Sequence, residues 1–151
     1  FKICFNFFPA LLFTACYTKL SAPSSLGSLV LMMVSVLLGY LILWLISFII
    51  QTWSFWLFSV WGIITIKNVF VNILSGTLLP LWFMPTILQK IIAFTPFESI
   101  YFTPVQIYLG ELSGTEILLK MAVQLFWIFI LGGIATFFWK KGVKKLVVQG
   151  G

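Results

Sequence analysis

Hydrophobic positions run almost unbroken through this chain, and the few polar ones mark where it turns. No charged residue occurs between Lys19 and Lys67. About 20 apolar residues are needed to cross a bilayer, so that interval holds one full crossing and most of a second. Residues 2–17 form a first apolar run that ends at Lys19, and SAPSSLG over 21–27 reads as a connecting turn. Residues 26–50 predict a helix of about 37 Å, enough to span with some tilt. Gln51 and Thr52 then interrupt the pattern. Trp53, Trp56 and Trp61 cluster there, as tryptophans do at the membrane–water interface. The chain is expected to turn at 51–54 and to resume as a helix over roughly 55–75.

That helix is the most polar of the spans. Thr65, Asn68, Asn72 and Ser75 are spaced by three, four and three, which places them on one face, with Lys67 beside them. A polar stripe within a membrane faces the bundle interior or a cavity, because exposing it to lipid is costly. Two uses remain open: hydrogen bonding between helices, and lining a substrate pathway with Thr65, Asn68 and Asn72, together with Gln124 further on.

The next stretch, 75–110, is apolar but interrupted by Pro80, Pro85, Pro96 and Pro104. Proline removes a backbone donor and clashes with the preceding turn, so a break is expected at each. Irregular backbone at membrane depth persists only when protein or a water-filled cavity shields it from lipid. Within this stretch, 86–95 predicts a short amphipathic helix, with Ile87, Leu88, Ile91 and Ile92 on one side and Gln89 and Lys90 opposite. It is too short to cross and must lie in the interface, or dip in and return. Residues 77–112 are therefore assigned to a re-entrant segment containing Pro80, Pro85, Pro96, Phe97, Glu98 and Pro104, with Gly76 at its entrance.

The last helix has the clearest ends. Ser113-Gly-Thr-Glu116 has the form of a capping box. Lys140 and Lys141 oppose the negative helix end, and Gly142 suits a left-handed cap. Residues 114–141 would span about 42 Å. Gly132 and Thr136 make a small-xxx-small pair that would admit a close neighbour helix.

Composition agrees with this pattern. Hydrophobic residues are 62% of the chain and charged residues 8%, against roughly half and a quarter in soluble domains. The net charge of +6 is concentrated in Lys140, Lys141, Lys144 and Lys145, directly after an apolar helix. By the positive-inside rule this cluster places the C-terminus in the cytoplasm and the proline-broken segment outside. The four lysines then act as a membrane-surface anchor on anionic lipid. No basic face is large enough to neutralise many phosphates, so nucleic acid is not a partner. Cys4 and Cys16 would lie about 18 Å apart on one helix, too far for a disulfide. With no histidine in the chain, no metal or other cofactor is expected. Residues 2–22 have some signal-peptide character, but the outer part of a spanning helix fits the following spans better. The whole, 1–151, is read as a single transmembrane domain lacking N-terminal spans. The fold class is all-α integral membrane, with about four transmembrane helices and a re-entrant or interfacial helical hairpin before the last.

From residue 54 onward the order of motifs resembles the permease subunits of type-two ATP-binding-cassette exporters, a bacterial branch in particular. The pieces are SFW at 54–56, LSGTLLPLWFMP at 74–85, TPF at 95–97 and TPVQIYLG at 103–110. Gln124 with Trp127, and KKG at 140–142 through VQGG at 148–151, complete the series. The resemblance implies six spans per subunit, the last four held here, and paired extracellular re-entrant helices before the final span. It also implies a second permease subunit, as homo- or heterodimer, and separate cytoplasmic ATP-binding subunits, in the inner membrane of a cell. The elements that touch the ATPase would lie in the missing N-terminal portion.

Other functions fit less well. Three scattered glutamates and no histidine give an enzyme no acid–base pair. No phosphate loop is present, so ATP must be hydrolysed elsewhere. A channel would need a filter motif or ring of charge. A secondary transporter would carry coupling residues within several spans, and here Lys67 stands nearly alone. Secondary transporter or channel subunit remains the alternative to an exporter permease.

Overall fold

A computed structural model describes residues 26–79 and 81–149. The apolar run at 2–17, both cysteines and Pro80 lie outside them. Among the described residues there are five α-helices and no strand: α1 (Leu26–Thr52), α2 (Trp61–Leu74), α3 (Thr86–Ala93), α4 (Glu98–Leu109) and α5 (Gly114–Gln149). Two stretches, Leu26–Phe55 and Gly114–Lys145, are long and apolar enough to cross a bilayer. Val30, Leu37 and Leu41 on α1 and Leu118, Phe129 and Phe137 on α5 remain exposed. Helices this apolar and this uncovered belong against lipid or other membrane helices.

α1 is the wall on which the rest is built, since α4 and α5 both pack along it. Ile42 of α1, Val71 of α2, Ile100 of α4 and Leu131 of α5 meet in one buried cluster, flanked by Phe97 and Trp127. The α1–α4 contact is unusually close. A Cβ on Gly39 would lie 2.6 Å from the Ile100 carbonyl oxygen and 3.0 Å from that of Ser99. Only a hydrogen at that position lets the two backbones approach.

The same carbonyl explains why one expected break does not occur. Pro104 lies inside α4, which continues from Glu98 to Leu109. Proline offers no N–H, so the Ile100 carbonyl four residues earlier has no helical donor. Gly39 closes over that carbonyl, an arrangement suited to a Cα–H···O contact worth about 0.5–1 kcal/mol. Packing against α1 thus covers the defect that would otherwise end the helix. The two other described prolines do mark boundaries: Pro85 precedes α3, and Pro96 lies buried in the α3–α4 link.

Two further expectations are corrected. α2 begins at Trp61, not near residue 55, and its 14 residues span about 21 Å, short of the roughly 30 Å hydrocarbon core. The preceding residues are held in a 3-10 turn, Trp53–Phe55, because its aromatic side chains seat on α5. Ring centroids are 6.2 Å apart for Trp53 and Phe138, and 5.9 Å for Phe55 and Trp139. The second correction is Gly142. It does not cap α5, which continues to Gln149. Gly142 is buried beneath the Phe55 ring, which occupies the space a Cβ would need. The turn, not the helix end, requires this glycine.

Among the described residues, Gly132 and Gly133, in contrast, have nothing within 4 Å of where a Cβ would stand, and the Thr136 hydroxyl donates to the Gly133 carbonyl at 2.8 Å. Among the described residues, the glycine at which two helix backbones approach closely is Gly39. Gly39→Ala should destabilise the detergent-solubilised protein by about 1–3 kcal/mol, as overpacking does, while Gly132→Ala leaves it unchanged. Thermal unfolding of the two variants side by side checks this; equal melting temperatures would contradict it.

Candidate functional site

Three helices are joined around one amide. Gln124 of α5 is 0% exposed. Its Nε2 donates to the Ser99 carbonyl of α4 at 2.8 Å and to the Ser35 carbonyl of α1 at 3.1 Å, and the Ser35 hydroxyl donates to Gln124 Oε1 at 3.2 Å. Both amide hydrogens and the amide oxygen thus have partners, the condition under which a buried polar group stabilises a fold. Ser35 lies one turn before Gly39, so the bridge and the close approach share a face of α1.

One turn before Gln124, Lys120 forms an ion pair with Glu98. Glu98 is 5% exposed and lies in the first turn of α4, where the helix dipole favours a negative charge. A charge buried this deeply needs its counter-ion, because a lone ion in a low-dielectric interior is strongly destabilising. Lys120 and Gln124 together fasten the start of α4 to α5.

Beyond the ion pair, a cavity of about 660 Å³ opens between α3 and α4, bordered by Trp82, Gln89, Lys90, Glu98, Gln106 and Glu111. Gln89 donates to the Met84 carbonyl at 2.7 Å, tying α3 to the short 3-10 turn Leu81–Phe83. Gln106 Oε1 is buried and has no hydrogen-bond partner among the described residues. The polar side of α3 therefore faces the cavity. Ile87, Leu88 and Ile91 point outward, and Ile92 alone of that apolar set is buried, as an interfacial helix requires.

The remaining residues singled out in the sequence fall into separate groups. Thr65, Asn68 and Asn72 are exposed on α2, and the Thr65 hydroxyl donates to its own helix at Trp61 O, 3.0 Å away. Lys67 turns instead toward α1, where its Nζ donates to Ser47 Oγ at 3.1 Å. Gln124 belongs to the bridge with Ser35 and Ser99. Gly76 has φ 81°, a left-handed conformation that favours glycine, and it turns the chain beside Leu81 and Phe102. Phe97 packs on the central cluster. Lys140, Lys141 and Lys144 are exposed near the end of α5, with Lys145 half-buried. The capping box forms in part: Ser113 N–H and its hydroxyl both donate to Glu116 Oε2, at 2.7 and 2.8 Å.

Sequence reasoning missed Ser35, Gly39, Ser99 and Lys120 as members of one site. The available signal was Ser35-x-x-x-Gly39, a small-residue pair within a run of large apolar residues. Lys120→Met should destabilise the protein by about 3 kcal/mol or more, because it strands the Glu98 carboxylate. Adding Glu98→Gln should restore much of the loss. Denaturation of the single and double variants checks this, and a double variant less stable than Lys120→Met would refute the pairing.

The sequence comparisons bear on this arrangement. The model of a family described as ABC-2 family transporter protein matches residues 1–150. No curated protein and no solved structure matches the chain. Because the match runs through both long helices and the hairpin between them, the chain belongs to the ABC-2 transporter family and is a membrane permease component of an ABC transporter.

Proposed function

We propose that this permease works as an exporter subunit, forming the substrate pathway with a second permease subunit and driven by separate cytoplasmic ATP-binding subunits. The observation that carries the reading is the family match over residues 1–150, which includes the helical hairpin between the two long helices. In the proposed arrangement the lysines at the end of α5 are cytoplasmic, the membrane is the inner membrane of a cell, and the α3–α4 hairpin lies on the outer side. The short α3, with Ile87, Leu88 and Ile91 outward, suits such an interfacial position. ATP turnover belongs to the partner subunits, and this chain converts it into movement of the pathway.

The polar residues divide by role. Thr65, Asn68 and Asn72 are exposed on the lightly packed α2 and are the candidates for lining the pathway. Gln124, fully hydrogen-bonded, holds the hairpin in place and leaves no donor for a substrate. Gly76, Pro85, Pro96, Phe97, Glu98 and Pro104 shape the hairpin, and Lys140, Lys141, Lys144 and Lys145 hold the cytoplasmic end at the membrane surface.

The full-length protein should co-purify with an ATP-binding subunit whose ATP turnover it alters in proteoliposomes. Replacing Asn68 and Asn72 together by leucine should lower transport at least several-fold while the complex still assembles. Transport driven by an ion gradient with no ATPase present would contradict the proposal.

A further inference from the structure

We propose that the groove between the 53–57 turn and α5 is a binding site for one anionic phospholipid. The groove has a volume of about 410 Å³ and is lined by Trp53, Trp56, Leu57, Phe137, Phe138 and Lys141. Its walls are aromatic and its cationic groups are held over those aromatic faces. Lys141 Nζ lies 4.5 Å from the Phe137 ring centroid, and Lys145 Nζ lies 6.0 Å from that of Trp56. This goes further than a general attraction of four lysines to a charged surface, because the geometry separates them into two pairs.

Lys141 and Lys145 are four residues apart on α5, so they project from the same face, the one against the turn. Lys140 and Lys144 form a second pair about 100° round the helix. Lys141 lines the groove and Lys145 stands over the Trp56 ring beside it, whereas neither Lys140 nor Lys144 is among the lining residues. The groove also has a fixed shape: Gly142, between the two lysines, is buried under Phe55, and Phe138 is bracketed by Trp53 and Trp56 with centroids 6.2 and 6.4 Å away. The site thus combines a largely apolar slot of about 410 Å³ with two ammonium groups beside it.

Charge complementarity selects the occupant. Tryptophans gather at headgroup level, and this turn joins the end of a membrane-length helix to the next segment. A molecule with an apolar tail and a phosphate carrying net negative charge satisfies both parts of the site. A zwitterionic phospholipid brings an ammonium of its own against the two lysines. Each juxtamembrane lysine gains roughly fivefold from anionic lipid, so the pair should favour an anionic over a zwitterionic lipid by roughly 30-fold.

The test uses full-length protein in phosphatidylcholine vesicles containing a small fraction of brominated lipid, with tryptophan fluorescence as the readout. Brominated phosphatidylglycerol should quench at roughly 30-fold lower mole fraction than brominated phosphatidylcholine. Lys141→Gln with Lys145→Gln should remove most of that preference, while Lys140→Gln with Lys144→Gln keeps it. Lys141→Arg with Lys145→Arg, which retains the charge, should also keep it. Native mass spectrometry of the unaltered protein should show one phosphatidylglycerol retained in preference to phosphatidylcholine. Equal losses from the two glutamine pairs would reduce the effect to general surface charge and overturn the site. An unchanged lipid preference with loss of the ATP-binding subunit would give the groove to a protein partner and overturn it equally.

Discussion

The Ile100 carbonyl loses its helical donor to Pro104, and the way the protein covers that group governs the rest of the structure. In an apolar surrounding, an unsatisfied backbone polar group costs several kcal/mol, so α4 is not stable as an isolated segment. Its solution is contact with α1 at Gly39, where the absence of a side chain brings the two backbones together. Once they are this close, Ser35 and Ser99 fall within reach of a single side chain from α5. Gln124 takes that position and joins all three helices. The Glu98–Lys120 ion pair then fixes the same helix start from the side.

This constraint explains how a segment too short to cross a membrane keeps a defined place beside two helices long and apolar enough to do so. α4 is bound by a steric fit, an amide bridge and an ion pair, whereas α2 and α3 are attached more lightly. α2 meets α1 near Val71 and through Lys67 and Ser47, and α3 depends on Gln89 and the buried Ile92. The firm part is therefore α1, α4 and α5, with the aromatic turn at residues 53–57 closing one end. The exposed polar positions Thr65, Asn68 and Asn72 lie on the lightly held helix. For the proposed exporter, which would alternate between states, a firm wall and a looser neighbour are the physical ingredients of movement.

Much of this was legible in the sequence, and what was not has identifiable causes. The apolar runs gave the membrane class and both long helices, because length and hydropathy determine them locally. The short helix after Pro85 and the start of α5 at Ser113 were readable from proline and capping chemistry. Pro104 was misread because its break is repaired by a residue 65 positions earlier in the chain. Gly142 was misread for the same reason, since the Phe55 ring and not the helix end demands a glycine there. The spacing of Asn68 and Asn72 places them on one face, but periodicity reports faces within a helix and says nothing about which helices meet. The small residues Ser35 and Gly39 carried that information, hidden within a run that read simply as a span.

The most direct test of this account is a double-mutant cycle between Gln124 and Ser35, measured as unfolding free energy of the full-length protein in a bilayer-mimetic environment. Gln124→Leu, Ser35→Ala and the double variant should give a coupling energy of about 1 kcal/mol, within the range seen for interhelical hydrogen bonds in membranes. Strictly additive losses would mean that the Ser35 hydroxyl does not bond to the Gln124 amide, and the side-chain half of the bridge at the centre of this structure would be contradicted.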